Sequence, residues 1–280
     1  MKSIVISGAS TGIGEACALR LDKMGYRVFA GVRREADGEA LQEKASANLS
    51  PIMLDVTDAD QIAAAAQTVG EQTGQAGLAG LINNAGVAVG GPLEFVALED
   101  LRWQLEVNVV GQVAVTQAFV PLLRQDRGRV VNMSSIAGRA GNPFLGPYSA
   151  SKFALEALSD ALRVELHPWG IDVIVIEPGE IATPIWQKSL AAAEKRFAKM
   201  PPRVNDLYGP VIKMMMKMAR NAGGIPADEV AKAVAHAFTA ARPKTRYVVG
   251  RDAKLRVWIE RLPDRLRDRV IISQLPKYGP

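Results

Sequence analysis

Apolar and polar positions follow two rhythms along this chain. Short, mostly apolar runs (KSIVIS, YRVFAG, PIMLDV, LAGLIN, RVVNMSS and IDVIVIEPG) read as strands buried on both faces. Between them, apolar residues recur at spacings of three and four. That spacing predicts helices over EACALRLDKMG, TDADQIAAAAQTVGEQ, LEDLRWQLEVNVVGQVAVTQAFVPLLR and YSASKFALEALSDALRVEL. Thr57 or Asp58 is placed to cap the second of these. The third is expected to be irregular near Asn108, because Asn108 and Gly111 interrupt an apolar run and a buried Asn needs partners. Strand and helix alternate from residue 2 to 178, with no internal repeat and no low-complexity linker. The pattern predicts an α/β fold, a doubly wound parallel sheet of Rossmann-like type, in a single domain spanning 1–280.

Residues 184–226 leave this rhythm. Helical pieces divided by Pro201, Pro202 and Pro210 form an insertion. Met200, Met214, Met215, Met216 and Met218, with Trp186, Phe197 and Tyr208, give it adaptable apolar surface. It reads equally as a helical substrate lid or as helices using those side chains only to pack. DEVAKAVAHAFTAARPKTRYVVG adds a helix and a last strand. The tail, 251–280, holds two short amphipathic pieces interrupted by Pro263. They are expected to pack on the body or on a second subunit, with a membrane surface as the alternative.

The residues with chemical potential gather at C-terminal strand ends, where open parallel sheets bind ligands. The first strand runs into GASTGIG, with glycines at 8, 12 and 14. That spacing lets backbone approach a ligand closely and aims the next helix's amides at a diphosphate. At the end of the second strand an acid would bind adenosine ribose hydroxyls, whereas a base would accept a 2′-phosphate. Here Val32 is followed by Arg33 and Arg34, which favours NADP over the alternative, NAD. Asp55 ends the third strand, and Asn83, Asn84, Ala85 and Gly86 make a polar turn after the fourth. Ser135 follows the fifth, and Tyr148 and Lys152 lie four apart on the next helix, hence on one face. A phenol beside a fixed ammonium is a candidate proton donor to a carbonyl oxygen, or acceptor from an alcohol. A serine hydroxyl near the same oxygen would hold it.

Composition narrows the picture slightly. The 280 residues carry 34 basic against 29 acidic side chains, and in the tail the two signs interleave. Interleaving argues for a solvated face rather than a nucleic-acid stripe. The lone cysteine, Cys17, lies in an apolar run and reads as a core residue in a reducing compartment. His167 and His236 are far apart without a ligand cluster, so no metal is expected. The N-terminal run reads as a strand rather than a signal peptide. The most apolar stretch, Val109 to Leu123, is broken by Gln112, Thr116 and Gln117. A cytoplasmic protein without an integral membrane segment is the expectation.

GASTGIG (8–14), LDVTD (54–58), NNAG (83–86), NVVG (108–111), the Ser135, Tyr148 and Lys152 set, and PGEIAT (178–183) together resemble the short-chain dehydrogenase/reductase family, up to about residue 250. The resemblance implies hydride transfer between a nicotinamide and a carbonyl or secondary alcohol. It implies Tyr148 as general acid/base and Ser135 as the group polarising the substrate. Lys152 would lower the tyrosine's pKa and bind the nicotinamide ribose, and Asn108 would hold a relay water. Gly8, Ser10, Thr11, Gly12, Ile13 and Gly14 would line the diphosphate and adenosine, with Arg33 on the 2′-phosphate. Asp55 and Val56 would flank adenine, and Asn84, Ala85 and Gly86 the ribose region. Pro178, Gly179, Ile181 and Thr183 would cover the nicotinamide. The ending ARPKTRYVVGRDAKL resembles the branch that includes retinol, 17β-hydroxysteroid and 3-hydroxybutyrate dehydrogenases. A lipophilic (steroid-, retinoid- or lipid-like) substrate is the expectation. The alternatives are a small hydroxy acid or alcohol handled with NAD, and a nucleotide sensor without turnover. The family further implies a homodimer or homotetramer built on helices near 101–125 and 148–167.

Overall fold

A computed structural model describes residues 1–198, 200–221 and 223–279, except the side chains of 186–189. The elements run β1 (Ser3–Ile6), α1 (Gly12–Lys23), β2 (Arg27–Val32), α2 (Glu35–Gln42), β3 (Leu49–Met53), α3 (Ala59–Thr73) and β4 (Gly80–Asn83). Next come α4 (Leu98–Leu105), a π-helical turn (Glu106–Val110), α5 (Gly111–Asp126), β5 (Arg129–Met133) and α6 (Gly146–Glu165). The rest is β6 (Asp172–Pro178), β7 (Ile181–Ala182), α7 (Ile185–Phe197), α8 (Arg203–Arg220), β8 (Ile225–Pro226), α9 (Ala227–Thr239), β9 (Arg246–Val249), α10 (Arg251–Ile259) and α11 (Asp264–Ile272).

Seven strands form one sheet in the order β3-β2-β1-β4-β5-β6-β9. Every neighbour pair in it is parallel. Parallel strands are covered on both faces, which is why β1 reads as an unbroken apolar run. Successive side chains still point to opposite sides. Ile4, Ile6, Val28 and Val131 meet Cys17 and Leu21 of α1 and Val230 and Val234 of α9. Val5, Phe29, Leu81 and Val130 meet Ile62 and Val69 of α3 and Val115, Phe119 and Leu123 of α5. Burial pushes the Cys17 thiol up to about 12, as befits the core residue expected. From β1 the chain winds outward to β3, then returns to β4 on the other side. The crevice at that reversal, above the ends of β1 and β4, is where such sheets hold ligands.

Two sequence expectations change, at the apolar stretch of the long helix and at Pro210. The long helix is continuous from Leu98 to Asp126, and the irregularity at Asn108 is a π-helical turn. By length and composition alone this helix could cross a membrane, contrary to the expected break. Its Val115, Phe119 and Leu123 lie fully buried within the protein. Pro210 does not divide the insertion, because α8 runs straight through it. A proline removes one helical hydrogen bond, and buried Val204, Val211 and Ile212 hold the helix across that gap. The tail forms two helices either side of Pro263, as expected: α10 buries Ala253, the Tyr278 ring packs on Phe144 and Tyr208, and no residue of α11 is buried.

Candidate active site

The glycine loop is set by close packing. A Cβ on Gly14 would lie 2.2 Å from the Gly8 carbonyl oxygen and 2.5 Å from Asn84 Nδ2, so no other residue fits there. Gly12 approaches Thr183, which brings PGEIAT against the loop. Thr11 is the N-cap of α1, and its side chain bonds none of the first-turn amides. Those amides therefore lack a side-chain cap, the arrangement that suits an anion. Ser10 and Ile13 lie partly exposed on the same loop.

Asn84 ties this loop to the next. Its Nδ2 donates to the Gly8 oxygen at 2.9 Å and the Ser7 oxygen at 3.1 Å. Ser7 Oγ in turn accepts from the amides of Asn84 and Ala85. Asp55 Oδ1 accepts from the Thr57 amide and hydroxyl at 3.0 and 2.8 Å, folding the turn that ends at the Asp58 cap. Val56 is buried beneath α5. Arg33 and Arg34 behave differently. Arg34 pairs with Asp37 at 2.6 Å, whereas Arg33 stands exposed at the end of β2 with no hydrogen bond or ion pair among the described residues.

Sequence reasoning singled out Asn108 and missed the rest of its row. Gln104, Asn108, Gln112 and Thr116 are all buried at spacings of four, one polar ridge on one helix face. Asn108 Oδ1 accepts from the Val87 amide at 2.9 Å, and its Nδ2 donates to the Val87 oxygen and to Ser151 Oγ. Gln104 bonds the backbone of Val87 and Val89, and Gln112 bonds the Ala85 oxygen. The ridge pins residues 85–89 as they leave β4. Both Nδ2 hydrogens of Asn108 are thus committed to protein, and its Oδ1 is held by the Val87 amide. A fourfold spacing of polar residues in an apolar helix was the signal available.

Ser135 caps the turn after β5, its Oγ accepting from the Ala137 amide at 3.1 Å. The Tyr148 hydroxyl is hydrogen-bonded with the Ser135 side chain. Ser134 Oγ beside it is buried and has no hydrogen-bond partner among the described residues. Lys152 is 4% exposed, and its Nζ donates to the Met133 oxygen at 2.7 Å, 5.8 Å from the centre of the Tyr148 ring. Burial pushes the Tyr148 pKa above its ordinary value of 10, and the Ser135 bond opposes it. The ammonium is anchored on the end of β5, and burial lowers its own pKa to about 8, against the opposing pull of Glu156.

The far wall comes from β6 and the insertion. A Cβ on Gly179 would fall 2.1 Å from Asp252 Oδ2, and the Glu180 amide donates to that oxygen at 2.7 Å. Pro178 ends β6, and Ile181 is buried in β7. Gly90 faces Met215, and Gly91 faces Met200 and Phe197. The Tyr208 ring packs edge-on to Phe95 and Phe144. Phe144 has φ 63°, a left-handed backbone costing about 1–2 kcal/mol for a residue with a Cβ. The Gly91 amide, donating to its oxygen at 2.8 Å, and the rings of Tyr208 and Tyr278 hold it there. The expected contribution of the Trp186 side chain falls outside the described residues. Among the described residues no cluster of His, Cys, Asp or Glu could hold a metal.

The comparisons with known proteins agree with this arrangement. Residues 2–194 match the family model of the short chain dehydrogenases, and the chain belongs to that family. Retinol dehydrogenase 5 of Mus musculus is 40% identical, covering 98% of this chain and 89% of its own. An NADPH-dependent 3-dehydrocapnine reductase of Ornithobacterium rhinotracheale is 36% identical, covering 99% and 98%. A crystal structure of a short chain dehydrogenase from Burkholderia cenocepacia in complex with NADP superposes with TM-score 0.74 at 26% identity, covering 97% of this chain and 99% of that one. Relatives named for 17β-hydroxysteroid and D-β-hydroxybutyrate dehydrogenation also match, so the branch read from the tail is borne out. The protein is an oxidoreductase acting between alcohol and carbonyl groups.

Proposed function

We propose that this protein is an NADP(H)-dependent reductase of lipophilic carbonyl compounds, with Tyr148 as its proton donor. The observation that carries the reading is the Tyr148 hydroxyl bonded with Ser135 at the sheet edge, the Lys152 side chain fixed beneath it. A phenol kept protonated suits donation to an oxygen that is gaining negative charge. Ser135 would hold that oxygen in place, and the Lys152 charge would stabilise the phenolate left behind.

The chain's own residues fit a phosphorylated dinucleotide. The loop from Gly8 to Thr11 and the first-turn amides of α1 from Gly12 to Gly14 would take the diphosphate, and exposed Arg33 the 2′-phosphate. Asp55 and Val56 would flank the adenine, and Asn84 to Gly86 with Tyr148 and Lys152 the nicotinamide ribose. Pro178, Gly179, Ile181 and Thr183 would cover the nicotinamide. That group, when bound, supplies the hydride. One relative is described as NADPH-dependent and one solved neighbour is bound to NADP, while others are bound to NADH and NAD, so the choice of NADP rests on Arg33. The methionines facing Gly90 and Gly91, with Phe95, Phe144, Tyr208 and Tyr278, support 184–226 as a lid over a lipophilic substrate. Exposed Trp103, Phe153, Leu158 and Val164 on α4 and α6 support a homodimer or homotetramer built there, which light scattering would test.

Fluorescence titration with NADPH and NADH tests the coenzyme assignment. The wild type should bind NADPH at least tenfold tighter. Arg33→Ala should weaken NADPH alone, by about tenfold for a lost charged hydrogen bond. Arg34→Ala, already tied to Asp37, should change neither. Equal loss of both coenzymes in Arg33→Ala refutes the phosphate assignment.

A further inference from the structure

One turn beyond Lys152, on the same face of α6, stands Glu156, 8% exposed. Its Oε2 is 3.0 Å from Arg246 Nε on β9. The same nitrogen lies 3.4 Å from Glu177 Oε1, and Glu177 is wholly buried in β6 just before Pro178. Arg139, in the turn after Ser135, closes the set at 2.8 Å from Glu177. Arg246 also reaches Asp160 at 2.6 Å, and Asp160 is shared with Arg163. One ionic network therefore spans the segments that carry Ser135, Lys152 and Pro178. Glu156 Oε1 and Glu177 Oε2 are buried and bond nothing in it. Buried ion networks are weak contributors to stability, and apolar packing often does as well or better. The position beside a buried ammonium is what calls for a charge.

We propose that Glu156 is a positioning residue for the reaction. Clamped by Arg246, its carboxylate keeps the buried Lys152 side chain charged and directed at the Met133 oxygen. The proposal rests on the role given to Lys152 above. The charged groups facing Glu156 are Lys152 and Asp160 on α6, Glu177 on β6 and Arg246 on β9, with Arg139 acting through Glu177 and Arg163 through Asp160. Arg139, Arg163 and Arg246 match Glu156, Asp160 and Glu177 in number, so Lys152 is the charge added to a balanced set, and Glu156, one helical turn away, is the acid closest to it in sequence. The direction of its effect agrees, since Glu156 raises the Lys152 pKa while burial lowers it.

The test is the pH dependence of kcat for reduction of decanal by NADPH, with Tm and NADPH affinity measured beside it. In the wild type, activity should fall as pH rises through about 8, where Lys152 loses its proton. Glu156→Gln keeps the shape and removes the charge, so that proton leaves more easily. The limb should move down by about one pH unit, a loss of about fivefold at pH 8 and little change at pH 6. Glu156→Asp keeps the charge but draws it back, and should move the limb part of the way; it also serves if the Gln variant does not fold. A limb unmoved in both variants, or a loss equal at every pH that follows Tm, overturns the proposal. Tyr148→Phe, run in parallel, separates the two levels. If it abolishes turnover while the limb stays fixed, Glu156 alone was misassigned; if it retains turnover, the functional reading falls and this one with it.

Discussion

Replacing Lys152 by Met removes an ammonium from a place where the fold leaves it 4% exposed. Burial lowers its pKa from 10.5 to about 8, which corresponds to about 3 kcal/mol set against the charged form in the folded protein. Against that, the Met133 oxygen loses a donor bonded at 2.7 Å. An unsatisfied buried carbonyl costs about 1–2 kcal/mol. The variant should therefore be more stable than the wild type at pH 7 by about 1–2 kcal/mol, a rise of a few degrees in Tm for a chain of this size. The sign depends on pH. Below about 8 the folded and unfolded chains both hold the Lys152 proton, and the full cost of burying the charge is present. Between about 8 and 10.5 the unfolded chain keeps a proton that the folded chain has released, so this group's contribution improves as pH rises. Above 10.5 the variant's advantage is gone. Urea unfolding followed by circular dichroism, for both proteins at pH 7 and pH 10.5, measures the difference. Turnover should fall at least a hundredfold in the same variant. A variant less stable at pH 7, or one whose advantage does not change with pH, would refute the claim that the fold holds a costly charge here for the reaction.

Other outcomes follow from local geometry. Gly14→Ala forces a methyl to within 2.2 Å of the Gly8 oxygen, so the loop must shift; NADPH affinity measured by fluorescence should drop at least tenfold. Asp58→Ala removes a cap that accepts from the amides of Asp60 and Gln61, and chemical denaturation should show a loss of about 1 kcal/mol with coenzyme affinity unchanged. Asn108→Leu leaves the backbone of Val87 without its partners inside the protein, and should lower Tm by several degrees while also depressing turnover.

Much of this was legible in the residues. Continuous apolar runs and spacings of three and four marked strands and helices because a two-sided parallel sheet needs continuous apolar strands and one-sided helices. The glycine loop, Arg33, Asp55, Asn84, Ser135 and Pro178 were legible as a set because each falls at a strand's C-terminal end. What stayed hidden depends on side chains meeting across the fold. Nothing in the local sequence distinguishes Arg33 from Arg34 until Asp37 folds back onto one of them. The commitment of Asn108 to Val87, and of Asn84 to the glycine loop, appears only when β4 lies beside α5. The hydrogen-bond acceptor of Lys152 is likewise distant in the chain, a carbonyl on β5. Pro210 misled because an exposed proline usually ends a helix, whereas here buried neighbours carry the helix past it.

The most direct measurement is a single-turnover reduction of decanal by NADPH in Tyr148→Phe beside the wild type. The ring stays and only the hydroxyl bonded with Ser135 is lost. Hydride transfer should become undetectably slow while NADPH binds as tightly as before. Transfer at the wild-type rate would show that the proton comes from elsewhere, and the central claim would be wrong.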